Sequence, residues 1–258
     1  MTKSPRFARA VSIARQVLTE FYLDKAADAP MESLAMAMGV FVKSGRLEKS
    51  AGTLAWRGDS GIVTVDSRIL ELGRRRFTIA HELGHFKLHK NRSAFACTDE
   101  MFLPWYRTNS IEPEANAFAA ELLMPETIFR DELDGARPSR ESIGQASDSF
   151  ETSLTATCFR FVETECYPCV LFAVVKGRIK WMSKSTRLAS LRAKEPGAVL
   201  DDTSCAGDYF LNGSIESEGP AEVLSEAWFD EPLDQSMIWE LPFYLPRLGM
   251  VISLVWLR

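Results

Sequence analysis

The chain has 258 residues, 46% of them hydrophobic and 25% charged, and a formal net charge of -5. These proportions exclude a disordered or fibrous chain, and the acidic balance argues against a broad electrostatic surface for nucleic acid. A chain of this length can bury a substantial core, and two modest domains are expected rather than one large one.

Lys3, Arg6, Arg9 and Arg15 interrupt the N-terminus, which therefore lacks the apolar centre of a secretory signal. Residues 5–22 instead place Phe7, Val11, Ile13, Ala14, Val17, Leu18 and Phe21 at helical spacing, and 31–39 read as a second short helix before an extended Phe41-Val42-Lys43. Leu54-Ala55-Trp56 and residues 61–66 are β-rich and flank Gly58-Asp59-Ser60, the pattern of a hairpin or of two neighbouring strands. A helix is predicted over 71–90, and its Arg74, Arg75 and Arg76 read as a solvated helix start. Residues 91–109 are polar and irregular around 101–106, as in a loop that closes over something. Ser110, Glu112 and Pro113 then open a helix that runs to Met124, where Pro125 stops it.

Two or three short helices are expected over 126–165. Beyond them, 170–175 and 178–182 flank Lys176-Gly177 as a hairpin, 197–222 is a polar, glycine-containing stretch, and 236–244 and 249–257 return to strands. The apolar run 248–257 is about half of what a bilayer crossing needs and reads as a buried terminal strand. The five cysteines, Cys97, Cys158, Cys166, Cys169 and Cys205, are odd in number and lack framework spacing. A reducing compartment, the cytoplasm, is the expectation. Cys166 and Cys169 form a C-x-x-C with no second pair to complete a zinc site, and read as buried structural thiols.

All three histidines fall within 81–89, and His81-Glu82-Leu83-Gly84-His85 is an H-E-x-x-H. Residues four apart share one side of a helix, so His81 and His85 can aim imidazole nitrogens at one metal ion, with Glu82 placed as a base. A catalytic zinc needs a third protein ligand. His89 is disfavoured, because it lies roughly 12 Å of helix rise from His81. On the helix over 112–124, Glu114 shares a face with Ala117, Phe118, Glu121 and Leu122, whereas Glu112 points nearly the opposite way. Glu114 is the favoured third ligand and Glu121 a group that orients a ligand histidine, the alternative being that both are surface carboxylates. Two imidazoles and one carboxylate leave zinc a position for water, whose pKa falls to about 7, so that peptide-bond hydrolysis with Glu82 as general base is the implied reaction. Tyr106 or His89 is a candidate oxyanion donor, and the strand over 61–66 a candidate edge for an extended substrate.

Residues 76–85, Arg-Phe-Thr-Ile-Ala-His-Glu-Leu-Gly-His, followed by 114–125, Glu-Ala-Asn-Ala-Phe-Ala-Ala-Glu-Leu-Leu-Met-Pro, resemble the IrrE/ImmA family of zinc metallopeptidases. The resemblance implies one catalytic Zn2+, with Mn2+ as an alternative ion in vivo, held by His81, His85 and Glu114, and Glu82 as catalytic base. It also implies an α+β fold: a zincin-like metallopeptidase domain over 1–126, a helix-turn-helix-like segment over 127–165 and a GAF-like α/β sensor domain over 166–258, the last with a small-molecule ligand of its own. Family members are regulatory proteases that cut Xre-type helix-turn-helix repressors, releasing stress-response or mobile-element genes. An Xre-type repressor is therefore the implied partner. Arg140 and Arg160 of the middle segment stand among Glu141, Asp148, Glu151 and Glu163, so that segment reads as scaffold, with no direct nucleic-acid or membrane contact expected. The competing reading is a metal-sensing or repressor-binding regulator that acts without cleavage, and the presence of Glu82 speaks against it, because holding a metal requires no base.

Overall fold

The computed structural model describes residues 5–48, 50–89, 95–98, 111–215, 219–231 and 233–258, with the backbone alone for 95–98. Most of the loop expected over 91–109, Tyr106 included, lies outside the described residues. Two compact units emerge, Met1–Asp131 with Ser147–Ser153, and Glu132–Ala146 with Leu154–Arg258.

The first unit begins with helix α1 (Pro5–Glu20), which buries Ala10, Ala14, Val17 and Leu18 in the stripe that helical periodicity requires. Helix α2 (Met31–Ala37) leads into strands β1 (Val40–Gly45), β2 (Ser50–Arg57) and β3 (Ser60–Asp66), then helix α3 (Leu72–Leu88), strand β4 (Phe95–Thr98) and helix α4 (Glu112–Leu123). The sheet order is β1-β3-β2-β4. Strands β2 and β3 form the expected hairpin, with Arg57 opposite Ser60 across Gly58-Asp59, while β3 runs parallel to β1. Both edges of β3 are therefore occupied, which corrects the expectation that the strand over 61–66 offers a free edge to substrate. Helix α3 lies on β2 and β3, and α4 packs against both α1 and α3. The expected solvated arginine knot is also corrected: Arg76 is buried and pairs with Glu151 at 3.0 Å, and Arg75 reaches Glu32 at 2.9 Å.

Three short helices follow, α5 (Glu126–Leu133), α6 (Arg140–Ser149) and α7 (Leu154–Glu163). The division between the units falls within α5 and α6, so the helical segment expected over 127–165 is shared between them. Its two arginines turn inward. Arg160 is buried and pairs with Glu163 at 2.9 Å, and Arg140 stacks over the Phe243 ring and donates to the Pro242 carbonyl at 2.8 Å.

The second unit is an antiparallel sheet of β5 (Val170–Val175), β6 (Arg178–Lys184), β7 (Ala221–Leu224), β8 (Met237–Leu245) and β9 (Met250–Trp256), in the order β6-β5-β9-β8-β7. The apolar terminal run is thus its central strand, which is why it has no polar face. One face buries Val170, Phe172, Val174, Val251 and Val255 against Trp228, whose ring lies 4.4 Å from that of Phe172. Helix α8 (Cys205–Asn212) occupies part of the polar, glycine-containing stretch over 197–222. Cys158, Cys166 and Cys169 are buried free thiols.

Glu240, wholly buried on β8, closes the N-terminus of α8. Its carboxylate accepts from the Cys205 and Ala206 backbone N–H groups, the Trp228 indole and the Ser253 hydroxyl at 2.7–3.1 Å. Burial pushes this carboxyl above its ordinary range, and the four donors oppose that shift. Glu240→Ala leaves those donors without a partner in the interior, and an unsatisfied buried donor costs ~1–3 kcal/mol. The variant is expected to lose about 2–4 kcal/mol of stability in urea denaturation followed by tryptophan fluorescence. A loss below about 1 kcal/mol would contradict this account of the cap.

Candidate metal centre

Two close contacts fix the site before any ligand is considered. At Gly84, inside the H-E-x-x-H turn, a Cβ would lie 3.1 Å from the backbone of Ala115, so glycine lets α3 and α4 cross with their main chains nearly touching. At Gly52 on β2, a Cβ would come within 2.6 Å of the Thr78 methyl and 2.8 Å of Glu82 Oε1. The strand therefore passes directly beneath the Glu82 carboxylate. Helix, strand and second helix are locked around one spot.

His81, Glu82 and His85 are completely buried on α3. The two Nε2 atoms face each other at 3.0 Å. The carboxylate that joins them comes from α4, and it is Glu112: its Oε2 lies 3.1 Å from His81 Nε2 and 3.5 Å from His85 Nε2. Donors bonded to one tetrahedral zinc at 2.0–2.1 Å stand about 3.3 Å apart, so these separations match a shared ion. Among the described residues, this is the group of three whose ligand atoms lie within 4.8 Å of one another. Burial works to raise the Glu112 carboxyl, but hydrogen bonding and charge attraction from His81 and His85 outweigh it and hold the group well below the usual carboxylate range. Glu112 is also the member nearest solvent, with 37% of its side chain exposed, so the site opens on its side.

The structure does not bring Glu114 into this group. The Glu114 Oε2 atom lies 3.6 Å from His89 Nε2. The reason is the burial of α4, whose residues from Pro113 to Leu123 are all buried between α1 and α3. An apolar face could not be told from a polar one on such a helix, and the face that meets the histidines carries Glu112 and, one turn on, Asn116. Asn116 was missed at the sequence level. Its Oδ1 lies 2.8 Å from His81 Nδ1, which places it to receive that proton and leave Nε2 bare. The signal was available in the i, i+4 spacing of Glu112 and Asn116. Glu121, expected to orient a ligand histidine, instead accepts from Arg15 Nε at 2.5 Å and ties α4 to α1.

The arrangement could hold one metal ion, with a histidine pair on one helix, a carboxylate on a second, and a further carboxylate beside the pair. Residues 35–162 match the family model of the M78 peptidases, the IrrE N-terminal-like domain. Over that stretch the chain is similar to the IrrE-like metallopeptidases. The radiation response metalloprotease IrrE of Deinococcus radiodurans is 28% identical over 101 residues, a stretch spanning 39% of this chain and 30% of that protein. A Mycobacterium tuberculosis transcriptional regulator shares the fold, with a TM-score of 0.57 at 14% identity over 96% of this chain and 76% of that one.

Proposed function

We propose that this chain is a zinc-dependent endopeptidase that cleaves a helix-turn-helix repressor of the Xre type and so releases the genes that repressor holds silent. The observation that carries the reading is the convergence of the buried His81 and His85 with Glu112 beside the buried Glu82. A zinc ion held there would supply a Lewis acid for the scissile carbonyl and lower the pKa of water. Glu82 accepts the proton of the attacking water and delivers it to the leaving amide nitrogen, so that one C–O bond forms as the C–N bond breaks. Asn116 keeps His81 in the tautomer that presents Nε2.

Residues 1–126 are read as a zincin-like domain, 127–165 as a helix-turn-helix-like segment and 166–258 as a GAF-like sensor domain with a small-molecule ligand. No described helix is long and apolar enough to cross a membrane. The free thiols Cys158, Cys166, Cys169 and Cys205 suit a reducing compartment, the cytoplasm, where such a repressor would be met.

The test is to incubate the purified, zinc-loaded protein with Xre-type repressors from its own genome and to resolve the products by mass spectrometry. Two complementary fragments are expected, absent after treatment with 1,10-phenanthroline and restored by zinc. An intact repressor under zinc-loaded conditions would favour a regulator that binds without cutting.

A further inference from the structure

Behind the metal-facing atoms, the two histidines differ. His81 Nδ1 backs onto a neutral amide, whereas His85 Nδ1 faces a second imidazole, His89 Nδ1, at 3.1 Å. The far nitrogen of that ring, His89 Nε2, lies 3.6 Å from Glu114 Oε2. Both members of this outer pair are nearly enclosed, with side-chain exposures of 8% and 12%. His89 is also where α3 ends, its backbone N–H still bonded to the His85 carbonyl at 2.9 Å, so its ring is held one turn beyond His85.

We infer that His89 and Glu114 are positioning residues that fix the ring and tautomer of His85, a role that rests on the metal centre proposed above. At 3.6 Å the Glu114 carboxylate is an ion-pair neighbour of His89 Nε2 rather than its hydrogen-bond acceptor, and its negative charge favours a proton on that nearer nitrogen. A neutral imidazole carries one proton, which leaves His89 Nδ1 as an acceptor. Its short contact with His85 is then satisfied only by a proton on His85 Nδ1, and the remaining lone pair of His85 is on Nε2, the atom that faces His81 and Glu112. One carboxylate thus sets four nitrogens in sequence. The carboxylate favoured from sequence as a ligand is reassigned to a group acting through two imidazoles.

The test compares zinc dissociation constants, measured by competition with a chelating dye, for the wild type, His89→Leu, His89→Gln and Glu114→Gln, with thermal melting of the zinc-free forms as a check on folding. Partners beyond the direct ligands typically change metal affinity by about 10–100-fold. His89→Leu is expected to weaken zinc within that range. His89→Gln, whose amide oxygen can accept from His85 Nδ1, recovers most of the loss, and Glu114→Gln falls between. In proton NMR of the zinc-loaded protein, the His85 Nδ1–H resonance is expected in the wild type and in His89→Gln and lost to exchange in His89→Leu. The inference is overturned if His89→Leu and Glu114→Gln bind zinc within about twofold of wild type while His81→Ala abolishes binding, a result that leaves the metal centre standing. It is equally overturned if Glu114→Gln loses zinc as completely as His81→Ala, which would make Glu114 a ligand, or if His89→Gln rescues nothing. A wild type that binds no zinc removes the centre and the relay together.

Discussion

Glu82→Gln is expected to slow peptide-bond hydrolysis by about 10²–10⁴-fold, the usual contribution of a positioned general base, while the bound zinc stays at the wild-type level. The substitution keeps the shape of a side chain that is wholly buried and pressed against β2 at Gly52 and against Thr78, so no space has to be found for it. What it removes is the ability to accept a proton and return it. The measurement is single-turnover cleavage of the repressor beside a metal analysis of the same samples. Cleavage at the wild-type rate would remove Glu82 from the chemistry, and loss of zinc would make the residue structural instead.

The second large effect separates two carboxylates on one helix. Glu112→Ala deletes a donor whose Oε2 stands 3.1 Å and 3.5 Å from the two imidazole nitrogens, and zinc affinity should fall by more than the ~100-fold that a partner outside the ligand set can cost. Glu114→Ala should stay within about 10–100-fold, because its carboxylate reaches the site only through His89. The reverse ranking would return the ligand role to Glu114.

The elements that were legible in the sequence are those with a strong local pattern. The H-E-x-x-H helix, the hairpin across Gly58-Asp59, the hairpin across Lys176-Gly177 and the apolar terminal strand all stand where periodicity and turn chemistry put them. Helix α8 was less visible because it is short and sits in polar, glycine-containing sequence. Its ends were nonetheless written in the chain, with Ser204 accepting from the Gly207 N–H at 3.0 Å and Gly213 closing the far end. The place of β3 inside its sheet could not be read locally, since its pairing with β1 depends on residues some twenty positions away.

At the site, His81 and His85 are brought together by helix geometry alone, which a sequence displays. The third donor depends on how α4 rotates against α3, and that rotation is set by the close approach of Gly84 to Ala115. A helical wheel assumes one dry face and one wet face. Because α4 is buried from Pro113 onward, the wheel could not single out the face that meets the histidines, and it chose Glu114 where the structure brings Glu112 and Asn116 to them.

The central claim is that one zinc ion is held by His81, His85 and Glu112. Anomalous diffraction at the zinc edge from crystals of the zinc-loaded protein tests it most directly. A single strong peak at about 2.0–2.2 Å from His81 Nε2, His85 Nε2 and a Glu112 carboxylate oxygen is expected. A peak seated on other side chains, Glu114 among them, or the absence of an ion with those three side chains turned apart, would contradict it.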